Sequence, residues 1–248
     1  MRNMIATALL IVTAMTGVLA QISPERERAR PHYRTGWEHM RVEAWPDAAA
    51  AFERAIDIDP QFEDAYYGLG RAYMGMKQFA QAIAAYSKCR DLYRGQAGRQ
   101  FTSQQEAQRY RQDRITELDE IIRQYQSGPQ TLQTQDRLRQ LQEQRHQIQL
   151  RLMRGVNMSV SSGVPAFVSL ALGSAYFRSG AMADAEREYK AALEEDPKSG
   201  ETHNNLAVVY LMTDRIQDAD KEVRAAEKAG FRVNPNLKAD IEKRKKVS

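Results

Sequence analysis

The sequence predicts an all-α protein, an α-solenoid of helix-turn-helix repeats with an inserted antiparallel coiled-coil hairpin. Three observations predict it. A 34-residue period of small and large residues runs through both ends of the chain. Only 14 Gly and 8 Pro in 248 residues leave few turns, which favours long helices over a many-stranded sheet. Between the two periodic blocks the composition turns abruptly to Gln and Arg, both good helix formers.

The chain is 42% hydrophobic and 27% charged, enough apolar material for one elongated domain or two compact ones. These values exclude a highly charged disordered chain, a collagen-like repeat and a disulfide-stapled miniprotein. A single cysteine, Cys89, excludes an intramolecular disulfide and a cysteine zinc cluster.

The first twenty residues bear on compartment. Arg2 precedes an uncharged, apolar-rich run from Met4 to Leu19, and Val18-Leu19-Ala20 sets small residues before a polar stretch. That is the layout of a secretory signal peptide over 1–20. The alternative is an uncleaved amino-terminal anchor, for which the run is short against the ~20 residues of a span. No cysteine stands near the cut, which excludes a lipoprotein. Loss of Arg2 with the peptide would take the net charge from +4 to +3, so the basic balance is no argument for nucleic acid. The expected location is the periplasm, with a secreted or membrane-tethered product as the alternative.

The period defines the repeats. Gly36, Ala48, Phe52 and Ala55 recur one period later as Gly70, Ala82, Tyr86 and Cys89. Gly173, Ala185, Tyr189 and Ala192 recur as Ala207, Ala219, Val223 and Ala226. This pattern fits two antiparallel helices whose backbones approach at the small residues while the large side chain fills the groove between them. Asp59-Pro60 and Asp196-Pro197 end second helices, because Pro cannot continue them.

These residues resemble the tetratricopeptide repeat family, with four repeats near 29–62, 63–96, 166–199 and 200–233. Departures are Thr35 and His39 where the family prefers larger apolar residues, and Arg94 and Phe231 in place of a closing Pro. Repeat two's second helix is accordingly expected to run on toward Gly95 or Gly98. Asn234-Pro235 opens a last helix, with Leu237 and Ile241 one turn apart, expected to cap repeat four over 235–248. Repeats one and two thus occupy 21–98, and repeats three and four 157–234.

The segment 99–156 is read as the hairpin. Residues 101–154 hold 14 of the 21 glutamines, nine arginines and no lysine. Ile115, Leu118, Ile122 and Tyr125 form an apolar seam before Ser127-Gly128-Pro129, and Leu138, Leu141, Ile148 and Leu152 continue one after it. Two helices are predicted, Ser103–Tyr125 and Leu132–Arg154, each about 34 Å long. Residues 155–164 read as a loop, and Pro165 suits the first turn of the helix that follows.

Signals for chemistry are sparse. His32, His39, His146 and His203 lack metal-ligand spacing, and no phosphate loop, nucleophile elbow or dinucleotide fingerprint appears. Asp57–Asp59 and Glu194–Asp196 read as solvated helix ends, Cys89 as a buried structural thiol, and Asn157-Met158-Ser159 as a chance glycosylation triplet. No enzyme activity, metal or cofactor is assigned.

The remaining candidate is surface. The family resemblance implies that the first helix of each repeat lines a concave face. By register, its residues are Tyr33, Trp37, Met40 and Arg41; Tyr67, Arg71 and Met74; Phe167, Leu170, Phe177 and Arg178; and Asn204, Val208, Leu211 and Met212. Aromatic, Met and Arg side chains carry interface energy. Tyr33 and Trp37 stand where some relatives place a Lys/Asn clamp for a terminal carboxylate, which points to a more apolar ligand, an amphipathic helix or extended segment. Expectation is therefore a non-catalytic scaffold binding a protein or peptide. Assembly by self-pairing of 101–154 is the alternative.

Overall fold

The computed structural model describes residues 23–96, 104–127, 134–135, 138–139, 141–142, 145–146, 148–149 and 164–246. The signal-peptide reading, the loop over 155–163 and the Asn157 triplet lie outside the described residues. Among the described residues no strand occurs. The helices are α1 (Pro24–Arg41), α2 (Trp45–Ile58), α3 (Glu63–Gly75), α4 (Phe79–Gln96), α5 (Gln104–Ser127), α6 (Ala166–Ser179), α7 (Met182–Glu195), α8 (Gly200–Met212), α9 (Ile216–Lys228) and α10 (Pro235–Lys245).

Helices α1 to α4 and α6 to α9 form the four predicted pairs, and each element packs on the next. α4 packs directly onto α6, so the solenoid is unbroken across the inserted segment. One core joins α1 to α4 with Phe167, Val168, Leu172 and Ala175 of α6. A second joins α7 to α10, from Ala185 and Tyr189 to Ile241.

One turn geometry repeats four times. Glu43, Lys77, Gly180 and Asp214 stand at the same repeat position, all with positive φ near 58°, 59°, 87° and 61°. The next residue's N–H donates back to the final turn of the helix before it: Ala44 to His39 at 3.0 Å, Gln78 to Tyr73 at 2.9 Å, Ala181 to Tyr176 at 2.9 Å and Arg215 to Tyr210 at 2.8 Å. These are Schellman turns, which satisfy the orphan carbonyls of the first helix and reverse the chain into the second.

The small–large pattern is a backbone contact. A Cβ on Gly36 would stand 2.6 Å from the Phe52 ring, one on Gly70 2.6 Å from Tyr86, and one on Gly173 2.7 Å from Tyr189. Each distance is too short for a real Cβ, so these rings fill space that only a glycine leaves open.

Sequence expectations shift at several places. α1 starts well before the repeat, with Ser23 capping it and Pro24 in its first turn. Pro165 caps α6 rather than lying inside its first turn. α4 runs through Gly95 to Gln96. α10 opens at Asn234, whose side chain accepts the Asn236 N–H, and Ile241 is buried beneath it. Asp59 is not a solvated end. It is 5% exposed and paired with Arg26, which also binds Glu63 at 2.9 Å and lies 4.2 Å over the Phe62 ring. Cys89 is fully buried.

Candidate partner-binding groove

The first helices of the four pairs, α1, α3, α6 and α8, present equivalent positions one period apart. Trp37, Arg71, Ser174 and Val208 share one of them; Met40, Met74, Phe177 and Leu211 share another. The two halves of this face differ.

The half toward the carboxyl terminus is open. Met74 of α3, Ser174, Phe177 and Arg178 of α6, Tyr189 of α7, and Asn205 and Val208 of α8 line one pocket of about 330 Å³. Three successive repeats thus contribute to it. Its floor is fixed by a short chain of hydroxyls. Tyr189 donates to Ser174 Oγ at 3.2 Å, and Ser174 donates to the Leu170 carbonyl at 2.9 Å. Burial pushes the Tyr189 phenol up to about 12, with the Glu201 charge raising it and the Ser174 bond opposing. The phenol therefore stays a neutral donor at physiological pH. Arg178 is exposed at the rim, 5.8 Å from the Phe79 ring, an arrangement that offers a cation beside an apolar cleft.

At the opposite end the expected groove residues are buried. Tyr33 is 1% exposed and Trp37 4%. Trp37 meets Tyr33 edge-on at 6.2 Å and Phe52 at 5.5 Å. Tyr67 packs edge-on against Phe167 at 4.9 Å, which joins repeat two to repeat three. Met40 and Tyr67 are likewise buried, and in the other half so are Phe167 of α6 and Leu211 of α8. These six are therefore core positions in this structure rather than an open binding surface. Large side chains at a helix–helix contact bury more apolar area against the neighbouring helix than they could offer to a ligand.

Arg71 is half-buried, with its guanidinium 5.5 Å from the Trp37 ring and 5.6 Å from that of Tyr125 on α5. It donates to the Tyr125 hydroxyl. Leu170 and Asn204 are half-buried, and Arg41 and Met212 are exposed. Sequence reasoning missed Ser174, Asn205 and Tyr189. Ser174 was available from the period, since it occupies the position of Trp37 and Arg71; Tyr189 reads in sequence only as a filler between helices.

Among the described residues no group of three or more His, Cys, Asp or Glu is placed to hold a metal, and no helix is long and apolar enough to cross a membrane.

Residues 40–97 and 176–239 match a family model described as tetratricopeptide repeat. No curated protein sequence matches the chain. Among solved structures, it is similar to PilW, a widely conserved type IV pilus biogenesis factor, at 15% identity over 88% of this chain and 86% of that one, with a TM-score of 0.41. It is also similar to TTC0263, a thermophilic TPR protein of Thermus thermophilus, at 20% identity, 87% and 98% coverage and a TM-score of 0.35. A third is YrrB, a TPR protein with an unusual peptide-binding site, at 14% identity, 81% and 86% coverage and a TM-score of 0.27. The period, the glycine contacts and the fourfold turn agree with the match of residues 40–97 and 176–239 to the tetratricopeptide repeat model.

Proposed function

We propose that the protein is a non-catalytic interaction scaffold of the cell envelope, taking a peptide or amphipathic helix in the open half of its concave face. The pocket between α3, α6 and α8 carries this reading, because three repeats supply apolar walls from Met74, Phe177 and Val208 and polar groups from Arg178 and Asn205. An apolar cleft with a few placed polar groups is how proteins fix a ligand's orientation. The envelope location rests on the leader pattern of residues 1–20. The hairpin reading of 99–156 is supported by Leu118, Ile122 and Leu141 burying one another, and by an Arg145–Asp119 pair at 3.0 Å.

A random peptide display library panned on the purified protein tests the site. A selected peptide should bind the Val208→Asp variant at least about tenfold more weakly, roughly 1.4 kcal/mol, with helical content unchanged. Equal binding by the two proteins would overturn the assignment.

A further inference from the structure

We propose that α5 is an internal occupant of the concave face, closing its amino-terminal half through a latch between Arg71 and Tyr125. The inference deepens the reading of this face as a partner site and assigns the site a gate. Three observations converge on it. Arg71 occupies the same repeat position as Val208, which lines the open pocket, yet its guanidinium donates to the Tyr125 hydroxyl and lies between the Tyr125 and Trp37 rings. α5 also touches α1, so with the Arg71 bond the inserted segment meets the first helices of both repeats one and two. Beneath this contact Trp37 is 4% exposed, and its indole Nε1 is buried with no hydrogen-bond partner among the described residues.

A buried N–H without an acceptor favours any state that gives it one. Water supplies that acceptor once α5 lifts. Closure is opposed by this donor; across the contact the Tyr125 hydroxyl accepts from Arg71 and the Tyr125 ring lies 5.6 Å from its guanidinium, contacts that a competing ligand can replace. Tyr125 also packs on the hairpin's own seam of Leu118, Ile122 and Leu141, so the phenol is carried by α5 rather than by the repeats.

The chain holds two tryptophans, and a Trp45→Phe background leaves Trp37 as sole reporter. In that background the full chain with Tyr125→Ala should show Trp37 emission shifted to the red and an acrylamide quenching constant at least about threefold higher, with far-ultraviolet circular dichroism unchanged. Quenching equal to the parent's would overturn the latch. If Tyr125→Ala lowers helical content, Arg71→Met is read instead. It keeps an apolar stem over Trp37 but cannot hold the phenol, and the same rise is expected, with no rise again overturning the proposal. The readout needs no partner, so it stands or falls separately from peptide capture by the open half.

Discussion

Gly70 and Tyr86 share one volume: a Cβ on Gly70 would stand 2.6 Å from the Tyr86 ring. Helix propensity favours Ala over Gly by about 1 kcal/mol, but overpacking a filled contact costs about 1–3 kcal/mol. Gly70→Ala should therefore lower stability, by up to about 2 kcal/mol in urea unfolding. Gly95 is the control on α4, since nothing lies within 4 Å of its added Cβ. Gly95→Ala should be neutral or raise stability by up to ~1 kcal/mol. Equal effects at both positions would refute the contact as the reason for the glycine.

The turn between α3 and α4 holds Lys77 at φ 59°, a conformation that costs an L-residue about 1–2 kcal/mol. Glycine adopts it freely but loses ~0.5–1 kcal/mol more in chain entropy on folding. Lys77→Gly should thus raise stability by up to about 1 kcal/mol, while Gly180→Ala, at φ 87° in the equivalent turn, should lower it by a similar amount. Melting temperatures of the two variants moving the same way would contradict the shared turn geometry.

Arg90 of α4 and Glu188 of α7 join repeat two to repeat three at 2.8 Å, with side-chain exposures of 15% and 3%. Removing the cation leaves a buried carboxylate with only the exposed Arg187 guanidinium at 3.8 Å. Arg90→Met should cost about 3–5 kcal/mol, and adding Glu188→Leu should recover part of it, because an apolar pair of similar volume avoids the desolvation of both charges. A double variant as unstable as Arg90→Met alone would show that packing, not the ion pair, governs this junction.

The parts of this fold legible in the sequence are those the period encodes. Gly36, Gly70 and Gly173 are expected at helix contacts, and each stands against the ring named in its own repeat, Phe52, Tyr86 and Tyr189. The turn is hidden, because Glu43, Lys77, Gly180 and Asp214 share a backbone conformation and no chemistry. For the groove, register places Met74, Phe177, Arg178 and Val208 around one pocket. It fails for Trp37 and Tyr33, whose burial depends on Phe52 and Arg71 and on how these helices pack. The Arg71–Tyr125 bond joins a repeat to a segment with another composition, and no local periodicity registers such a contact. Asp59 escapes sequence reasoning in the same way, since its partner Arg26 comes from the preceding first helix.

The tyrosines predict an alkaline limit. Burial, aided by the Glu53 hydrogen bond and charge, pushes Tyr73 up to about 12, and burial does the same for Tyr189 against the opposing Ser174 bond. An unfolded phenol titrates near ~10. Between those values the unfolded chain releases protons that the folded chain keeps, so stability is fully present below about pH 10 and falls as pH rises toward 12. Tyr189 is 1% exposed and carries more of the effect than Tyr73, which solvent screens. Urea midpoints at about pH 9 and about pH 11.5 should therefore differ less in Tyr189→Phe than in the parent, by on the order of 1 kcal/mol, because phenylalanine has no proton to lose. The variant also gives up the hydroxyl bond to Ser174, a loss expected at both pH values and so cancelled in the difference. An identical pH dependence in parent and variant would remove Tyr189 as its source.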